Sequence, residues 1–106
     1  MWIFLPNSYP SIVQKSGDAE AGTLTVRGRI KGDIEAVFTD AVVSEGGGTD
    51  YRYRAKIPRE AVAQALHDQV MCIGYSNFKG SVKDHQRHDA YMRVWAAMFG
   101  YQQHQK

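Results

Sequence analysis

The sequence has 106 residues, 43% of them hydrophobic and 11% aromatic, with 13 Lys plus Arg against 11 Asp plus Glu and a single cysteine. That is the size of one domain, expected over residues 1–106; it is too short for an enzyme with a separate cofactor domain, and a lone Cys72 excludes an intramolecular disulfide framework or a multi-cysteine zinc site. A net charge of +2 excludes a histone-like or tail-driven nucleic-acid binder, so any electrostatic role must come from where the charges sit.

The apolar start Trp2-Ile3-Phe4-Leu5 is broken by Pro6 and lacks a basic leader, and no run of about 20 apolar residues follows, so a cytoplasmic protein without a membrane span is expected. Residues 2–5 and 11–15 read as short extended pieces around the breaker cluster Pro6-Asn7-Ser8-Tyr9-Pro10. A polar link, Ser16 to Gly22, leads to an alternating strand over 23–30 that turns Leu24, Val26 and Ile30 to a core and Thr23, Thr25, Arg27 and Arg29 away from it. Asp33 is placed to cap a short helix carrying Ile34, Val37 and Phe38 on one face. Residues 41–45 read as a strand, and the glycines at 46–48 as a flexible hairpin turn without the Gly-Lys-Ser or Gly-Lys-Thr ending of a phosphate loop.

Residues 51–57 alternate most cleanly, with Tyr51, Tyr53, Ala55 and Ile57 on one side and Arg52, Arg54 and Lys56 on the other. Pro58 opens a helix in which Val62, Ala65, Leu66 and Val70 recur at helical spacing. Residues 75–79 fit an edge strand or a loop, and Asp84 is placed to cap a last helix of about five turns bearing Tyr91, Val94, Trp95 and Met98, ahead of a fraying tail. This order predicts an α+β fold: a ferredoxin-like split β-α-β sandwich, with a mainly antiparallel sheet, helices on one face and an additional C-terminal helix.

The start Met1-Trp2-Ile3-Phe4, the Leu24-Thr25-Val26-Arg27 stretch before Gly32-Asp33, Asp50-Tyr51-Arg52-Tyr53-Arg54-Ala55, Tyr75-Ser76-Asn77-Phe78-Lys79, and Tyr91 with Val94-Trp95 together give the chain its character. In these pieces it resembles a family of small uncharacterised bacterial proteins. The resemblance brings no activity and therefore no functional residue.

Chemistry must be read from the residues. If the two alternating strands share a sheet, Arg27, Arg29, Arg52, Arg54 and Lys56 emerge together on its outer face. Arginine suits phosphate because its planar guanidinium donates two parallel hydrogen bonds. Tyr9 or Tyr75 is a candidate to stack on a base, and Gly28 would let a ligand approach the backbone. The leading expectation is a non-enzymatic binding protein for a phosphate-bearing ligand, nucleotide or nucleic acid, through Arg27, Arg29, Arg52, Arg54, Lys56 and Tyr75. The bland alternative is a solvated face answered by Glu20, Glu45 or Asp50, or covered by the N-terminal segment or the last helix.

Two other readings stand beside it. One is a protein-binding inhibitor or adaptor, such as a phage or mobile-element product acting against host defence, since tyrosine and arginine are enriched at interface hot spots. The other is a minimal enzyme using His85, His88 or Asp89, which share a helix face but lack a four-ligand set or a His-Glu-x-x-His pattern. No cofactor or metal is expected. Cys72, between Met71 and Ile73, reads as a small buried hydrophobe. Trp2, Phe4, Tyr91, Trp95, Met98 and Phe99 are expected to pack together, with any excess forming a homodimer or partner surface.

Overall fold

The structure, a computed structural model, describes residues 1–46 and 50–105. They fall into two compact units, Met1–Gly74 and Tyr75–Lys106.

The first unit is built on a four-stranded sheet of β1 (Ser11–Val13), β2 (Thr23–Gly28), β3 (Ser44–Glu45) and β4 (Tyr53–Pro58), in the order β1-β2-β4-β3. Three helices accompany it: α1 (Asp18–Ala21), α2 (Asp33–Val37) and α3 (Arg59–Met71). The α+β class and the antiparallel sheet follow the sequence pattern. Every pairing between the named strands is antiparallel, so the parallel pair that a split β-α-β unit requires is not among them.

The period of two in β2 and β4 sets the layers. Val26, Ala55 and Ile57 point to one side, where Ile34, Val37 and Phe38 of the α2 region and Val62 of α3 close the core with Ile12. Val26 and Ile34 are almost wholly buried, each contributing about 1.5–3 kcal/mol from removing its side chain from water. Gly28 serves this packing: a Cβ there would lie 3.2 Å from Ile34 Cγ1, so its missing side chain admits α2 and not a ligand. Asp33 is the first residue of α2, and Gly32, with φ +92°, occupies the cap position. The Asp33 carboxylate instead accepts the Tyr9 N–H at 3.0 Å, and its carbonyl accepts the Ser8 hydroxyl at 2.6 Å, tying the N-terminal loop to the helix.

Several edges differ from the sequence reading. The chain leaves the sheet after Gly28, and Ile30 is exposed where alternation placed it inside. The Ile30 carbonyl accepts the Asp33 N–H in the turn that follows. The strand expected over 41–45 pairs only through Ser44 and Glu45, while Ala41 and Val43 still pack on the core. Gly46 is a left-handed residue, φ +95°, and the expected glycine turn at 47 and 48 lies outside the described residues. In α3, Val62, Ala65 and Leu66 face the core, but Val70 lies beyond it and is exposed, as is Cys72, which ends the helix.

The second unit holds α4 (Phe78–Ser81) and α5 (His85–Gln103). Residues 78–81 are helical because local side chains close the turn: Asn77 Oδ1 accepts the Lys79 N–H at 2.9 Å, and the Ser81 hydroxyl donates to the Phe78 carbonyl at 2.6 Å. Asp84 caps α5 as its sequence position predicted, its Oδ2 accepting the Arg87 N–H at 2.8 Å. Tyr91 stacks on Phe78 with ring centroids 5.8 Å apart. Within each unit the terminal aromatics pair locally: Phe4 stacks on Tyr9 in the first and Trp95 on Phe99 in the second, while Trp2, Trp95, Met98 and Phe99 are exposed. Among the described residues no helix is long and apolar enough to cross a membrane.

Candidate anion-binding site

The face of the sheet opposite the core carries the arginines, and strand register decides which of them meet. Ser11 of β1 lies opposite Arg27 of β2, Arg27 opposite Arg54 of β4, and Arg54 opposite Ser44 of β3. One cross-strand row therefore reads hydroxyl, guanidinium, guanidinium, hydroxyl. Directly opposed residues in antiparallel strands have Cβ atoms about 4.5–5.5 Å apart, and like charges there are unfavourable unless something answers them.

The protein answers them unevenly. Arg27 Nη2 donates to Ser11 Oγ at 2.9 Å, and its guanidinium carbon lies 4.3 Å from the centre of the Tyr51 ring. Arg27 Nε is buried with no hydrogen-bond partner among the described residues. Arg54 Nη2 donates to the Tyr51 carbonyl at 3.0 Å. Arg29 also lies over the Tyr51 ring, at 4.1 Å, and makes two 3.0 Å hydrogen bonds to the Asp50 carboxylate. Those bonds, and the arginine charge behind them, hold the Asp50 carboxyl below its usual range.

Lys56 is drawn to the opposite end of the face. Its ammonium lies 3.0 Å from Asp18 Oδ1, and the Asp18 side chain is fully buried. Asp18 also accepts the hydroxyls of Thr23 at 2.6 Å and Thr25 at 2.8 Å, and the Lys15 N–H at 2.7 Å. The Thr23 hydroxyl foremost, with the Lys15 N–H, the Thr25 hydroxyl and the Lys56 ammonium, holds this carboxyl far below the usual range, against burial, which pushes it up. Helix α1 thus sits on the outer face through Asp18, in a segment that reads in sequence as a polar link.

Of the five predicted cations, two therefore hold a carboxylate of the same chain: Arg29 holds Asp50, and Lys56 holds Asp18. Arg27 and Arg54 share the central row, and Arg52 is exposed just before β4. Tyr75 belongs to the second unit, where its ring lies 5.9 Å from that of Phe78.

Tyr51, like Ile30, lies where alternation does not place it. It precedes the bend at Arg52 that leads into β4, and its ring is buried against Arg27 and Arg29, not in the core. Burial pushes its hydroxyl pKa up; hydrogen bonding with Ser11 and Tyr9 and the charges of Arg29 and Arg27 outweigh this and bring it below the ordinary 10.0. Two guanidiniums on one buried ring contribute about 0.5–2 kcal/mol each by cation–π attraction, which offsets part of the repulsion in the row.

His88 Nδ1 lies 3.5 Å from Asp89 Oδ1, and among the described residues no group of three metal-ligating side chains forms there or elsewhere. Compared with family models, curated proteins and solved structures, the chain matches none.

Proposed function

We propose that this is a small binding protein whose sheet face takes a phosphate-bearing ligand, nucleotide or nucleic acid, at the Arg27–Arg54 row. The observation that carries the reading is the direct cross-strand opposition of two arginines, with Arg27 Nε buried and unbonded among the described residues. An anionic oxygen placed between two guanidiniums relieves their repulsion and accepts charge-assisted hydrogen bonds, roughly twice as strong as neutral ones. Arg52, exposed, extends the donor set along the same end of the sheet, while the Ser44 hydroxyl donates to the Arg54 carbonyl at 3.4 Å. Lys56 and Arg29 stand outside the site, because each already holds a carboxylate.

The test is fluorescence anisotropy of a labelled oligothymidylate over a salt series, with a nucleoside triphosphate as competitor. Contacts from Arg27, Arg54 and Arg52 to a single strand give a log-log slope of about −2. Arg27→Gln, which keeps a donor for Ser11, lowers affinity roughly tenfold to a hundredfold by removing a charged hydrogen-bonding group. Lys56→Ala leaves affinity and slope unchanged. Equal losses in both variants, or none in Arg27→Gln, overturn the proposal.

A further inference from the structure

The two units differ in charge and in surface. Met1–Gly74 holds eight basic and nine acidic residues, and Tyr75–Lys106 holds five basic and two acidic. Yet the second half of α5, residues 94–103, carries no charge at all. No described residue of α5 is buried. Val94, Trp95, Met98, Phe99 and Tyr101 are 40–61% exposed, and Trp95 and Phe99 lie with their rings stacked 5.2 Å apart and nearly parallel. They border a shallow groove of about 520 Å³ lined by Trp95, Met98, Phe99, Tyr101, Gln102 and Gln105. Isolated helices gain most of their stability by packing an apolar face, and apolar patches of several hundred Å² mark interaction sites.

We infer that this face pairs with α5 of a second copy, antiparallel, about a two-fold axis at Met98. About that residue two aromatics are placed symmetrically, Trp95 three positions before it and Tyr101 three after. A two-fold therefore sets Trp95 against the partner's Tyr101 and Met98 against the partner's Met98, each on the helical ridge that packs at i, i+3 and i+4. The absence of charge over residues 94–103 favours a like copy, because two neutral stripes meet without repulsion, and the one cation at the face, Lys79 with its ammonium 5.7 Å from the centre of the Trp95 ring, is too little to hold a phosphate backbone. Area agrees: large side chains bury about 150–250 Å² each, so the exposed parts of the five residues amount to roughly 500 Å² per copy and roughly 1,000 Å² per pair. That is the lower limit of a specific interface, so the dimer dissociates on dilution.

Sedimentation equilibrium of the full chain over a range of micromolar concentrations tests this. The expected mass rises from 11.9 kDa towards twice that value with concentration. Met98→Glu and Met98→Lys, at an exposed position that leaves the helix intact by circular dichroism, are each monomeric, since each brings like charges to the axis. Mixed in equal amounts they recover the dimer, because the opposite charges then meet. A wild-type chain that stays monomeric throughout overturns the inference, as do single variants that still dimerise or a mixture that does not recover. Since the arginine row lies on other residues, anisotropy of the oligothymidylate by either variant reports separately on that site.

Discussion

Replacing Thr25 by valine removes one oxygen from the buried end of the outer face and little else. Valine has nearly the same shape and a high strand preference, so neither a cavity nor a backbone effect is introduced. What is lost is the 2.8 Å hydrogen bond from the Thr25 hydroxyl to Asp18 Oδ2, at a residue that is itself only 4% exposed. A hydrogen bond to a charged group contributes about 1.5–3 kcal/mol. In a unit of the size of Met1–Gly74, each kcal/mol moves the melting temperature by about 4–8 °C, so the expected drop is roughly 6–24 °C. Thermal and urea unfolding, followed by circular dichroism, measure it. The sign with pH also follows: a carboxyl whose folded pKa is depressed gives its full stabilisation above its unfolded pKa and loses it as pH falls through the folded value. The Thr25→Val deficit is therefore constant from neutral pH down to about 4 and shrinks only in stronger acid. In a double-mutant cycle with Asp18→Asn the two deficits are not additive, because both act on one hydrogen-bonded cluster. Simple additivity, or a deficit that already fades between pH 6 and about 5, would refute the placement of Asp18 as an ionised anchor.

Tyr51→Phe removes from an ultraviolet titration a phenol that ionises below the ordinary range, and a curve whose early part is unchanged by the substitution contradicts the guanidinium environment of that ring. Gly28→Ala places a methyl group 3.2 Å from Ile34 Cγ1, so Ile34, 1% exposed, must yield by a few tenths of an ångström; the expected result in urea unfolding is a loss of about 1 kcal/mol, and a stabilising result means that Ile34 has room to move. Asp84→Ala takes away the cap of α5 and costs about 0.5–2 kcal/mol, seen as faster amide exchange in the first turn after residue 84; unchanged exchange refutes the cap. Asp18→Asn weakens the hold on Lys56 and steepens the salt dependence of oligothymidylate binding, whereas an unchanged slope means that Lys56 already faces the ligand.

Much of the first unit is legible in the sequence because its two central strands alternate strictly and each ends at a recognisable breaker. Helix α5 is legible for a similar reason: Asp84 marks its start and the apolar residues recur at helical spacing. The site is legible only in part. Alternation assigns Arg27, Arg54 and Lys56 to one face, but it carries no information about which carboxylate will reach them. Asp18 was hidden in a polar stretch between Gly17 and Gly22, although the two threonines at positions 23 and 25 stand on the same strand face as Arg27 and offer a buried acid its hydrogen bonds. Tyr51 misled because the period of two was extended one step past the bend at Arg52, where the strand has not yet begun. Residues 75–79 are aromatic, a composition that suits a strand, and the helical turn Phe78–Ser81 that overlaps them depends on side-chain bonds that periodicity does not register.

In the proposed site Arg27 and Arg54 take the anion, while Arg29 and Lys56 are held by carboxylates. Side-chain ¹⁵N spectra of the arginines, recorded while inorganic phosphate is titrated into the full chain, test it most directly. The Nε signals of Arg27 and Arg54 are expected to shift together and saturate, while Arg29, bound to Asp50, holds its position. Shifts spread evenly over all the arginines, or saturation at Arg29 with Arg27 unmoved, would contradict it.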